Sequence, residues 1–105
     1  MSRSIITLAS LAATLSLLSP IAQASDALAA KNSCMACHAK DTKVVGPAFK
    51  DIAAKYAGDA TATDKLIAKV KKGGSGAWGS VPMPPNAQLS DADAKALVTW
   101  ILKMK

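Results

Sequence analysis

The chain has 105 residues and a formal net charge of +6, and its seven acidic residues are all aspartate. That length holds one domain. A single histidine and two cysteines fall one ligand short of a four-coordinate structural zinc site, and a basic chain with no arginine beyond Arg3 and no nucleic-acid-binding motif speaks against nucleic acid as a partner.

The first 24 residues read as a secretory signal. Arg3 supplies a short positive region, residues 5–18 are apolar and broken only by small side chains, and Pro20 precedes Ala22-Gln23-Ala24, a small-x-small cleavage site. The apolar run is short for a membrane-spanning helix. Cleavage after Ala24 leaves residues 25–105 as one exported domain. No second apolar stretch of spanning length follows, so the mature protein is expected to be soluble, with no stable membrane insertion. All its basic residues are lysine, and the modest positive excess favours encounter with acidic protein surfaces.

Ser25 or Asp26 can cap a first helix that runs through 27–31 into Cys34-Met35-Ala36-Cys37-His38. Cys-x-x-Cys-His is the attachment motif of c-type haem. On a helical turn, residues three and four apart share a face. Cys34, Cys37 and His38 can thus present two thiols to the two vinyl groups of haem and an imidazole to its iron. A thioredoxin-like motif would need a βαβ setting. A disulfide between Cys34 and Cys37 would close a tiny loop and stabilise little. A domain this small is marginal without a staple. Haem at the centre of the core supplies one, and the haem-free chain is expected to fold poorly.

A polar loop then leads to Gly46-Pro47. Phe49, Ile52, Ala53 and Tyr56 fall at i, i+3, i+4 and i+7, the spacing of an amphipathic helix, which Gly58 ends. Thr61 or Thr63 starts a third helix with Leu66, Ile67 and Val70 inward, stopped at Gly73-Gly74. Residues 73–88 form a loop rich in glycine and proline, and a loop this long in a small domain is usually functional. Ser90 opens the last helix, with Asp93 three residues on as a variant capping box. Ala94, Leu97, Val98 and Ile101 make its buried stripe. No alternating strand pattern, repeat or domain boundary is present.

With His38 on one axial position, a second ligand is needed, and no other histidine exists. Met1 leaves with the signal. Met35 lies inside the pentapeptide, on the side of His38. Met104 is the penultimate residue, on a helix expected to pack elsewhere. Met83 remains, in Val81-Pro82-Met83-Pro84-Pro85, where the prolines stiffen the backbone. A thioether opposite an imidazole fills the iron and favours Fe(II). Such a pair requires an apolar slot of cofactor size between His38 and Met83.

Cys34-Met35-Ala36-Cys37-His38, Val45-Gly46-Pro47-Ala48, Ala77-Trp78-Gly79, Val81-Pro82-Met83-Pro84-Pro85-Asn86 and the final helix with Trp100 together resemble the small bacterial class I cytochromes c of the c-551 type. The likeness covers residues 26–105. It implies an all-α, single-domain class I cytochrome c fold, about four short helices wrapped around one covalently bound haem c. The first and last helices should cross, with Trp100 in the core beside Tyr56. The Pro47 carbonyl should accept a hydrogen bond from Nδ1 of His38, the Asn86 amide should reach the sulfur of Met83, and the Trp78 indole should meet a haem propionate. Lys69 stands where relatives often carry an arginine facing a propionate. Lys40, Lys43, Lys50, Lys71 and Lys72 are read as solvated surface, with a ring of charge at the haem edge as the alternative.

The implied function is a monomeric periplasmic electron carrier, not an enzyme. It would pass single electrons between respiratory donors such as the cytochrome bc1 complex and acceptors such as nitrite reductase, a peroxidase or a terminal oxidase. Its redox partner proteins would offer acidic or apolar docking patches. A haem enzyme or gas sensor would instead need an open iron site.

Overall fold

The computed structural model describes residues 12–14 and 20–105, the side chains of 20–24 excepted. The rest of the signal-like segment lies outside the described residues. Helix α1 spans Pro20–Lys31, a single 3-10 turn covers Cys34–Ala36, α2 spans Phe49–Lys55 and α3 spans Ala62–Lys72. Strands β1 (Gly74–Gly76) and β2 (Gly79–Met83) precede α4, Asp91–Leu102.

The last helix organises the rest, packing against α1, α2 and α3. Its start is as expected: the Ser90 hydroxyl accepts the Asp93 backbone N–H at 3.1 Å, satisfying one of the donors a helix end leaves free. Ala94, Leu97, Val98 and Ile101 are all buried. Leu97 joins Ala29 and Leu89 in one cluster, while Ile101 joins Phe49 and Ile52 in another. Trp100 and Cys34 pack against both clusters and so bridge them. The Trp100 ring meets Phe49 edge-on at 5.6 Å, and the Lys40 ammonium, paired with Asp26 at 3.0 Å, lies 5.4 Å from its centroid. Trp100 is therefore a core residue, as its helical spacing implied.

In α2 the expected face is the buried one, with Phe49, Ile52 and Ala53 inward and Tyr56 half-buried at the C-cap. Thr61 precedes α3, but its hydroxyl does not cap the helix. Instead Asp59 accepts from both the N–H and the hydroxyl of Thr61, at 2.8 and 2.7 Å, and pairs with Lys65 at 3.1 Å.

Three expectations need correction. The first helix begins at Pro20, not at Ser25 or Asp26, and Ser25 is buried within it. Proline suits the first helical position, and Ile21-Ala22-Gln23-Ala24 holds no residue that would stop a helix. Leu66, Ile67 and Val70 are only half-buried: Leu66 and Val70 pack against the two core clusters and also line the central cavity. Finally, the glycine-rich loop contains a two-stranded antiparallel sheet, with Gly76 opposite Gly79 and Gly74 opposite Met83. It left no alternating signature because glycine, serine and proline make up most of its residues.

Candidate functional site

One cavity of about 1130 Å³, counting its open mouth, occupies the centre of the fold. Its floor is the helical core: Ala29, Phe49, Ile52, Leu97 and Ile101. The pentapeptide and the Val45-Gly46-Pro47 segment form another part of the wall, and the hairpin with Val81–Pro84 completes it. Lys69 is the one lysine or acid on this lining among the described residues, the rest being apolar or neutral.

The pentapeptide adopts a tight turn. Ser33 enters it in the left-handed region, at φ 62°. The N–H groups of Cys37 and His38 both donate to the Cys34 carbonyl, at 3.2 and 3.0 Å. That closure brings Cys34, Cys37 and His38 to one wall of the cavity, as their spacing required. Both cysteines are half-buried, and no disulfide joins them. Before haem is attached, burial holds the Cys34 thiol above its usual range.

His38 is fixed on several sides. Its Nδ1 lies 2.7 Å from the Pro47 carbonyl oxygen. A carbonyl can only accept, so Nδ1 carries the hydrogen and Nε2 keeps its lone pair for a metal. Phe49 stacks on the ring at 5.2 Å and 21°. Gly46 approaches so closely that a Cβ there would lie 2.6 Å from Cε1 of the imidazole, so a larger residue would push the ring aside. The Gly46 N–H donates to the Cys37 carbonyl at 2.7 Å, locking this segment to the pentapeptide.

The methionines sort as expected. Met83 lines the cavity that His38 lines. Met35 is exposed, and Met104 packs against the cluster of Phe49, Ile52 and Ile101. Met1 lies outside the described residues.

The Asn86 amide departs from expectation. Its Nδ2 donates to the Val70 carbonyl at 3.3 Å and, more weakly, to the Pro84 carbonyl at 3.4 Å. Both of its hydrogens are thus directed at carbonyls, and the residue pins the loop to α3 instead of reaching the Met83 sulfur. Trp78 sits in the hairpin turn on the rim, 45% exposed. Lys55 holds that turn: its ammonium donates to the Ala77 carbonyl at 2.7 Å and stands 4.5 Å from the Trp78 ring centroid. Sequence reading missed Lys55, since nothing local marks a contact across 22 residues.

An apolar cleft whose wall carries two thiols, one oriented imidazole and one thioether fits haem better than any other group. Fold and cleft together define the class: a small helical protein built around a covalently held haem. Residues 22–105 match the family model for cytochrome c. The chain is 57% identical over 98 residues to cytochrome c-552 of Nitrosomonas europaea, covering 93% of this chain and 95% of that protein. It is 51% identical over 100 residues to cytochrome c-551 of Pseudomonas aeruginosa, again covering 93% and 95%. The crystal structure of wild-type Nitrosomonas europaea cytochrome c552 aligns at a TM-score of 0.74 and 61% identity, over 76% of this chain and 99% of that one. The class 1 cytochrome MtoD from Sideroxydans lithotrophicus aligns at 0.70 and 35% identity, over 78% and 94%. The chain belongs to the cytochrome c family, among its small class I members, with haem c joined through Cys34 and Cys37 as its cofactor and electron transport as its role.

Proposed function

We propose that this protein is a soluble, monomeric periplasmic carrier of single electrons, with His38 and Met83 as the two residues that would hold its haem iron. The observation that carries this reading is that both residues line the cavity that holds Cys34 and Cys37, with His38 Nδ1 bonded to Pro47. Haem c supplies a one-electron Fe(II)/Fe(III) couple when bound.

The protein's own groups tune that couple. The Pro47 carbonyl makes the His38 imidazole a better donor and fixes its orientation. The neutral Met83 thioether raises the reduction potential. The apolar floor of Phe49, Ile52, Leu97 and Ile101 keeps water out, which disfavours the more highly charged oxidised state. Lys69, on the lining, and Trp78, on the rim, are the residues that would meet the propionates. His38 and Met83 together leave no free coordination position, which suits transfer of electrons and not binding of small molecules.

Partners would dock where the cleft opens. Val45, Val81 and Trp78 are exposed there, with Val44 next to Val45 in sequence, which suits an apolar docking patch. Of the five lysines considered for the edge, Lys40, Lys50 and Lys71 pair with Asp26, Asp41 and Asp91. Lys43 and Lys72 form no ion pair among the described residues. The cytochrome bc1 complex as donor, and nitrite reductase, a peroxidase or a terminal oxidase as acceptor, are the partners to test first. Export follows from residues 1–24 acting as a signal cleaved after Ala24; the match of 76% of this chain to 99% of a solved relative supports that boundary. Among the described residues no helix is long and apolar enough to cross a membrane.

The deciding experiment adds carbon monoxide to the reduced holoprotein at neutral pH. The carrier should bind it poorly, whereas Met83→Ala should bind it readily and show a lower potential. Rapid, tight uptake by the unmutated protein would refute the closed iron site, and an unchanged spectrum and potential in Met83→Ala would refute Met83 as ligand.

A further inference from the structure

We infer that the C-terminal turn of α3 is the seat of the Met83 loop, with Gly73 as its positioning residue, so that the hold of the Met83 sulfur on iron is set from α3. The inference rests on Met83 being an iron ligand. Gly73 ends α3 with φ 69°, its N–H donating to the Lys69 carbonyl at 2.8 Å. A Cβ at this position would lie 2.8 Å from Pro85 N and 2.9 Å from the Pro84 carbonyl carbon, and nearer still to the Met83 carbonyl oxygen. These are backbone atoms in a segment that Pro82, Pro84 and Pro85 stiffen. No side chain can rotate out of the way, so the loop must move as a unit and carry Met83 with it.

The same turn holds the far end of the loop. The Val70 carbonyl accepts both the backbone N–H of Asn86, at 3.0 Å, and its side-chain amide, at 3.3 Å. On the near side Met83 is paired with Gly74 across the hairpin. The segment from Met83 to Asn86 is thereby fastened at both ends to residues 70–74.

The test compares holoproteins of Gly73→Ala, Gly58→Ala, Asn86→Ala and Met83→Ala with the unmutated protein. Gly58 also has a positive φ, 77°, but a Cβ there meets nothing within 4 Å, so it reports the cost of a side chain at positive φ without the contact. Overpacking strain that is relieved when Met83 lets go should raise carbon monoxide uptake in Gly73→Ala by about 10- to 100-fold over Gly58→Ala. The sulfur–iron charge-transfer band of the oxidised protein should weaken, and the potential should move toward that of Met83→Ala. Gly73→Ala matching Gly58→Ala in all three readouts would overturn the seat. Should Gly73→Ala not accumulate as holoprotein, Asn86→Ala decides: faster uptake supports the seat, and unmutated behaviour overturns it. Met83→Ala separates the two levels. If it opens the iron while Gly73→Ala and Asn86→Ala do not, only the seat fails; if it changes nothing, the ligand assignment falls and the seat with it.

Discussion

Replacing Phe49 with leucine should cost this protein about 2 kcal/mol, because the phenyl ring makes two aromatic contacts that leucine cannot. Phe49 is 2% exposed, stacks on His38 at 5.2 Å and meets Trp100 edge-on at 5.6 Å. Each such pair contributes about 0.5–1.5 kcal/mol beyond burial, giving about 1–3 kcal/mol for the two. Leucine keeps most of the apolar bulk, so the loss stays below the roughly 3–5 kcal/mol of a Phe→Ala truncation. For a domain of this size about 2 kcal/mol corresponds to a fall in Tm of about 8–16 °C. The measurement is guanidinium unfolding of the holoprotein followed by far-ultraviolet circular dichroism, with Trp100→Leu completing a double-mutant cycle. A coupling of about 0.5–1.5 kcal/mol between Phe49 and Trp100 is expected. A Phe49→Leu cost below about 0.5 kcal/mol, or zero coupling, would show that ring contact contributes nothing and that bulk alone holds this corner.

Ser90→Ala should lose about 1 kcal/mol in the same unfolding assay, since the Asp93 N–H loses its acceptor, and Ser90→Gly should lose only a few tenths. Asp59 should titrate at about 2 in the folded protein, held down first by the Thr61 hydroxyl, then by the Thr61 N–H and the Lys65 ammonium. Its folded pKa lies below the unfolded value of about 3.9, so its contribution is complete above about pH 4 and is lost as pH falls toward 2. Carbon-detected NMR of the carboxyl should show the low pKa, and Asp59→Asn should flatten the fall in unfolding midpoint between pH 4 and 2; a carboxyl titrating near 3.9 would contradict the hydrogen-bonded turn.

What could be read from the sequence was whatever depends on short spacing. Cys34, Cys37 and His38 share one turn, so their convergence was legible. The 3- and 4-residue spacing of Phe49, Ile52 and Ala53, and of Ala94, Leu97, Val98 and Ile101, likewise marked the buried faces of α2 and α4. Met83 was reached by elimination, and it does line the same cavity as His38. The Pro47 carbonyl came from likeness to relatives and stands within hydrogen-bond distance of His38. What escaped was set by backbone meeting backbone at long range. The hairpin of β1 and β2 carries no alternation because glycine, serine and proline make up most of it. The close approach of Gly73 to the Met83 loop, and of Gly46 to the His38 ring, is invisible in a residue that has no side chain to pattern. The hydrogen bond from the Asn86 amide to the Val70 carbonyl at the end of α3 also joins residues far apart in sequence.

The hairpin lines the cavity and does not pack on a helix, and Lys55 ties its turn to the end of α2. Segments with few packing contacts open more often than a helical core. Amide hydrogens of residues 74–81 should therefore exchange with solvent long before those of α4. Brief lifting of this flap would wet one edge of the redox centre while the helical frame stayed shut. Evolution could then adjust how strongly the metal attracts an electron by editing the flap, leaving the melting of the frame almost untouched.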